Sequence, residues 1–136
     1  MIRTAKKWIG YLEHSSSELL GVYTANSGKG GYTIFSKMIS QHYRWRNFQG
    51  LPWCATFVHA VAIEALGNDD ARKILGKPHP GSRVLQRRMK RNGRYRGRGY
   101  IPSPGDLIFL TNGDGKVSHC GIVEYADAEY VYSVEG

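Results

Sequence analysis

Two stretches of this 136-residue chain contain no acidic residue: none lies between Gly21 and Trp53, and none between Arg83 and Arg98. The first gap removes the carboxylates that an oxygen-liganded calcium loop needs, so no calcium is expected there. The second leaves Arg83, Arg87, Arg88, Lys90, Arg91, Arg94, Arg96 and Arg98, eight basic residues in sixteen, without a counter-charge in their own segment. The other 120 residues hold 11 basic and 11 acidic side chains, so the net charge of +8 comes from that one segment. Cysteine is scarce. Cys54 and Cys120 are too few for a disulfide scaffold, and both are expected to be reduced thiols. Neither His-x-x-x-His nor Cys-x-x-Cys occurs, so the common zinc spacings are absent and no metal site is expected. No window approaches the ~20 apolar residues of a membrane span. The opening Met1-Ile2-Arg3-Thr4-Ala5-Lys6-Lys7-Trp8-Ile9-Gly10 is charged but lacks the roughly 7 to 15 apolar residues of an export signal.

What is present fits an ordinary globular protein. Hydrophobic residues make up 41% and charged residues 22%, and the length suits a single domain over residues 1–136 with its own core. A monomer is expected. The glycine cluster Gly28-Lys29-Gly30-Gly31 lacks the spacing of a phosphate-binding loop. The basic stripe implies a polyanionic partner, either nucleic acid or an anionic surface such as a wall bearing teichoic acids.

Apolar spacing predicts helices in the first two thirds. Thr4 is expected to cap a helix that aligns Ala5, Trp8, Ile9 and Leu12, and a second short helix is expected from Ser15-Ser16-Ser17 through Leu20. A loop over Asn26 to Gly31 should precede a helix over Tyr32 to Tyr43, then a connector over residues 44–52. Further helices are expected from near Cys54 to Gly67, over Asp70 to Leu75, and over Ser82 to Arg91. The last third reads as strands at 107–110, 117–125 and 130–134, with a turn over Asn112-Gly113-Asp114-Gly115. Helices followed by an antiparallel meander make an α+β fold.

Cys54 carries the chemistry in this pattern. Leu51-Pro52-Trp53-Cys54 turns from a proline-led loop into an apolar helix, which puts the thiol in a first turn. There the helix dipole and unpaired N–H groups favour the thiolate, the nucleophilic form. His119, on an expected strand, is the candidate base. Its neighbour Cys120 should point to the opposite face, towards packing. His59 is five positions after Cys54 on one helix and so should point away from it, and Asp106 is expected to anchor a turn.

In order and spacing, five segments resemble one family: Gly31-Tyr32-Thr33, Trp53-Cys54-Ala55-Thr56-Phe57-Val58, Pro104-Gly105-Asp106-Leu107-Ile108-Phe109, His119-Cys120-Gly121-Ile122-Val123 and Val134-Glu135-Gly136. The chain resembles a CHAP domain, the cysteine amidase/endopeptidase module of peptidoglycan hydrolases in bacteriophages and Gram-positive bacteria, within the papain-like group. The resemblance implies a papain-like fold, with helices packed on a C-terminal antiparallel sheet, and cleavage of a peptidoglycan amide bond. It implies Cys54 as nucleophile, His119 as general base and Glu135 as the group that orients the imidazole. Gln49 and Tyr32 are candidate oxyanion donors, and Trp53 is a candidate cleft residue. No cofactor is required, and the implied partner is the anionic Gram-positive wall rather than nucleic acid. The lack of an export signal fits an endolysin that waits in the host cytoplasm. Family members often have an asparagine after the glutamate–glycine pair, whereas this chain stops at Gly136. Two rival readings stand beside this one: a nucleic-acid-binding module built on residues 83–98, and a catalytically inactive relative that binds the wall.

Overall fold

The structure is a computed structural model that describes residues 1–22, 28–44 and 46–136. Asn26 and Ser27 of the expected loop, and residue 45 of the connector, lie outside the described residues. Five helices come first: α1 (Ile2–Lys6), α2 (Ile34–His42), α3 (Cys54–Leu66), α4 (Asn68–Leu75) and α5 (Ser82–Arg91). Three strands follow, β1 (Leu107–Thr111), β2 (Val117–Ala126) and β3 (Val131–Glu135), in one antiparallel sheet of order β1-β2-β3. This is the α+β arrangement expected of a papain-like fold.

α3 is the centre of the molecule. Every residue from Cys54 to Ile63 is buried, because the segment is apolar except for Thr56 and His59 and packs against α2, α4 and β2 together. Gly67, at φ 82°, ends it in a conformation that glycine adopts without strain. α5 is amphipathic instead, burying Leu85 and Met89 and leaving its arginines outside. Thr33 caps α2 by accepting a hydrogen bond from Ser36 N at 3.2 Å. Asp106 anchors the turn before β1, accepting from Ser103 N at 2.8 Å.

The N-terminal stretch departs from its helical spacing. α1 ends at Lys6 and is capped by Met1 rather than Thr4, and Ser15 to Leu20 forms bends and a turn without a helix. Ile9 and Leu12 are 62% and 54% exposed. The chain instead turns at Gly10 and delivers the aromatic residues on either side of the turn to a cluster: Trp8 and Tyr11 pack edge-on against Phe35 at 5.1 and 5.2 Å between centroids. Tyr11 Oη then donates to Leu20 O and accepts from Ile34 N, both at 2.9 Å. One side chain thereby joins three segments that have no regular structure in common.

His59 lies in the interior of α3, and its Nε2 has no hydrogen-bond partner among the described residues. Burial, reinforced by the charges of Arg88 and His79, pushes its pKa down to about 3. The folded chain therefore keeps His59 neutral where the unfolded chain takes up a proton. Its contribution to stability is present above pH ~6.5 and is lost as the pH falls towards about 3, by roughly 1.4 kcal/mol per pH unit. In calorimetric scans from pH 8 to 4, His59→Leu is expected to flatten the fall in melting temperature below pH 6.5. Parallel curves for the two proteins would refute this source of acid sensitivity.

Candidate active site

Cys54 is the first residue of α3, and no side chain caps the N–H groups of that first turn. Trp53 sets the entry to the helix. Its ring stacks on Phe35 at 5.5 Å and 13°, and its Nε1 donates to Glu13 Oε2 at 2.8 Å. The Cys54 thiol is buried, and its pKa is lowered from 9.0 to about 6. The largest cause is a hydrogen bond from the Cys120 thiol, followed by the positive charge of His119 and backbone hydrogen bonds from Ala55 and Cys120; burial works against all of these. Cys120 moves the opposite way. Its bond to Cys54, its burial and the negative charge of Cys54 and Glu135 push its pKa up, so it keeps its proton and donates it. Both cysteines are free thiols. Alternation buries Cys120, as its sequence position suggests, but the buried face it joins is the one that carries the other thiol.

His119 is on β2 and Glu135 is near the end of β3. His119 Nε2 and Glu135 Oε2 are 2.9 Å apart, and the other carboxylate oxygen accepts from Ser133 Oγ at 2.6 Å. The register explains the contact. Gly121, not His119, lies directly across from Glu135, so the carboxylate reaches its histidine along a diagonal over Gly121. A Cβ at position 121 would stand 2.7 Å from Glu135 Cγ, and only glycine leaves that path open. Gly121→Ala should therefore swing Glu135 off the imidazole and slow any reaction that depends on an oriented His119 by about 10- to 100-fold. Comparing turnover with thermal melting checks this, and an unchanged rate would show that the diagonal contact is dispensable. Gly136 is packed just as closely, since a Cβ there would meet Phe57 Cβ at 2.5 Å. The end of β3 is thus seated on the first turns of α3.

A cleft of about 370 Å³ opens beside Cys54. Leu51, Pro52, the His79–Arg83 segment, Val117 and Ser118 line it, and Arg83 Nε donates to Val117 O at 2.9 Å across it. Sequence reasoning missed His79 and Ser133. Ser133 could have been found by stepping two residues back from Glu135 along one strand face; His79 had no such signal. Gly81 N donates to His79 Nδ1 at 2.9 Å, which puts the neutral ring's proton on Nε2. Burial, together with Arg88, Arg46 and Arg87, lowers the pKa of His79. Gln49, Tyr32 and Trp53 do not line the cleft. The Gln49 amide instead braces the cap of α2, accepting from Thr33 N at 2.8 Å and donating to Thr33 O at 3.0 Å.

No group of three or more His, Cys, Asp or Glu among the described residues is placed to hold a metal ion, and the sequence between Gly21 and Trp53 has no carboxylate to offer calcium. No helix of the described residues is long and apolar enough to cross a membrane. A larger cavity of about 700 Å³ contains neither Cys54 nor His119. Cavity size therefore does not locate the chemistry; the convergence of an acidified thiol, an imidazole and a carboxylate does.

A family model described as CHAP domain matches residues 46–136, 91 of the 136 residues. No curated protein and no solved structure matches the chain.

Proposed function

Because the chain belongs to the CHAP domain family, we propose that it hydrolyses an amide bond of peptidoglycan through a thioester on Cys54. One observation carries this reading: a thiol with its pKa lowered to about 6, at an uncapped helix start, feels the charge of a histidine whose far nitrogen is tied to a carboxylate. With Nε2 committed to Glu135, Nδ1 is the ring nitrogen left for the sulfur and the substrate. The Cys54 thiolate attacks the amide carbonyl carbon, and the resulting oxyanion is stabilised by N–H groups at the start of α3. His119 Nδ1 then protonates the leaving amine as the C–N bond breaks. In the second half, Nδ1 takes a proton from water, the hydroxide adds to the thioester carbonyl, and the sulfur leaves as thiolate. Glu135 holds the imidazole in the required tautomer throughout, and Ser133 holds Glu135.

Arg83 puts a fixed positive charge on the cleft wall, suited to the carboxylates of the peptide stems, and the wider basic segment raises the rate of encounter with an anionic wall. Incubating the protein with Gram-positive sacculi and sequencing the soluble fragments by mass spectrometry tests the reading. New N-terminal alanines with free lactyl groups would identify an amidase, and new termini within stems or cross-bridges an endopeptidase. Fragments that appear equally without a functional Cys54, or no fragments from several wall chemotypes, would sink it.

A further inference from the structure

The basic segment and a cavity of about 700 Å³ coincide, and neither Cys54 nor His119 lines that cavity. α5 connects the two places. Ser82 and Arg83 at its start line the cleft, whereas Met89 near its end lines the second cavity of about 700 Å³, about 10 Å away along the helix at 1.5 Å per residue. The floor of this cavity is apolar and made by Leu75, Met89, Leu107 and Phe109. Its rim is the segment after α5, which sets Arg94, Arg96 and Arg98 around the opening. All three are exposed, and no carboxylate pairs with them among the described residues. Asp106, also in the lining, already accepts from Tyr100 Oη and Ser103 N at 2.9 and 2.8 Å. Next to the rim, Ile101 is 72% exposed, the most exposed large hydrophobic side chain among the described residues.

An apolar floor beneath fixed positive charge is complementary to an anionic amphiphile. Nucleic acid fits less well. Tyr95 has Lys90 Nζ over its ring at 4.7 Å and Phe109 beside it at 6.4 Å, and Tyr100, 48% exposed, is tied through its Oη to Asp106, so a base meets one open ring there rather than a run of them. A soluble wall polyanion would satisfy the arginines but leave the floor and Ile101 in water. We propose that this groove docks the protein on an anionic phospholipid bilayer, with lipid phosphate held by Arg94, Arg96 and Arg98, acyl carbons over the apolar floor, and Ile101 seated in the headgroup boundary. The cleft at the other end of α5 stays open when the groove is occupied.

Sedimentation with sucrose-loaded vesicles tests this. The wild-type protein is expected to sediment at least tenfold better with vesicles of mixed phosphatidylglycerol and phosphatidylcholine than with phosphatidylcholine alone, and less as salt rises. The triple variant Arg94→Glu/Arg96→Glu/Arg98→Glu should fall to the phosphatidylcholine level, and Ile101→Ser should weaken binding several-fold at unchanged charge. Cys54→Ala should bind like wild type, which separates docking from catalysis. Cys54 alkylation at the wild-type rate shows that the groove variants are folded. Equal sedimentation with and without phosphatidylglycerol would overturn the proposal, as would anionic binding that Ile101→Ser leaves unchanged.

Discussion

Cys54→Ala should release no wall fragments above background, a loss on the order of 10³-fold or more, while its melting temperature stays within a few degrees of wild type. The asymmetry follows from what the side chain does in each role. As packing, Cys54 contributes one small sulfur at the end of a helix whose next nine residues are buried without it. Its removal costs about 1 kcal/mol of contact, and alanine is the better helix former. In the proposed role of nucleophile it has no substitute among its neighbours: its sulfur sits in the field of His119 and beside the N–H of Ala55 in the first turn. Fragment release and calorimetry on the same preparation check both halves. A variant that retains a tenth of the activity would move the nucleophile elsewhere; one that unfolds would show Cys54 to be part of the core.

The second large effect concerns the thiol beside it. Alkylation of Cys54 by iodoacetamide should rise with pH through a midpoint near 6 in the wild type, because the folded site favours the thiolate. Cys120→Ala removes the largest cause of that lowering, so the midpoint should move up towards the ordinary cysteine range. Each unit of upward movement cuts the thiolate fraction at pH 6 by roughly five- to tenfold. Cys120→Ser keeps a donor and should retain most of the wild-type behaviour. The same shift fixes the sign of the link to stability: the contribution of Cys54 is complete above pH ~9 and is lost as the pH falls through about 6. Mass spectrometry of the alkylated site against pH separates the three proteins. Identical midpoints would mean that the sulfur–sulfur hydrogen bond does not tune the nucleophile.

The sequence displays most clearly those parts whose structure is decided locally. α3 is legible because a predominantly apolar run lies between Pro52 and Gly67, and β2 because Asn112 to Gly115 marks the turn before it. The N-terminal stretch misled for a matching reason. Trp8, Ile9 and Leu12 have helical spacing, but the aromatic cluster around Phe35 recruits Trp8 and Tyr11 and leaves Ile9 and Leu12 in solvent. Within the site, strand order was enough to expect His119 and Glu135 as neighbours. Their diagonal path over Gly121 was not, because register depends on where the bulge between Val123 and Tyr125 falls. The Cys54–Cys120 contact and the presence of His79 in the cleft depend on how α3 and α5 dock on β2, a long-range outcome that no local pattern carries.

The burial of α3 on every side bears on how this site would fail under heat. Amides deep in such an element exchange with solvent only when the whole fold opens, whereas exposed irregular segments such as 94–100 open in small, frequent excursions. Cys54 therefore opens the element whose interior is the last to loosen. Inactivation on warming should be abrupt and should coincide with global melting, with no preceding range in which the protein is still folded but its reactive sulfur has drifted out of place.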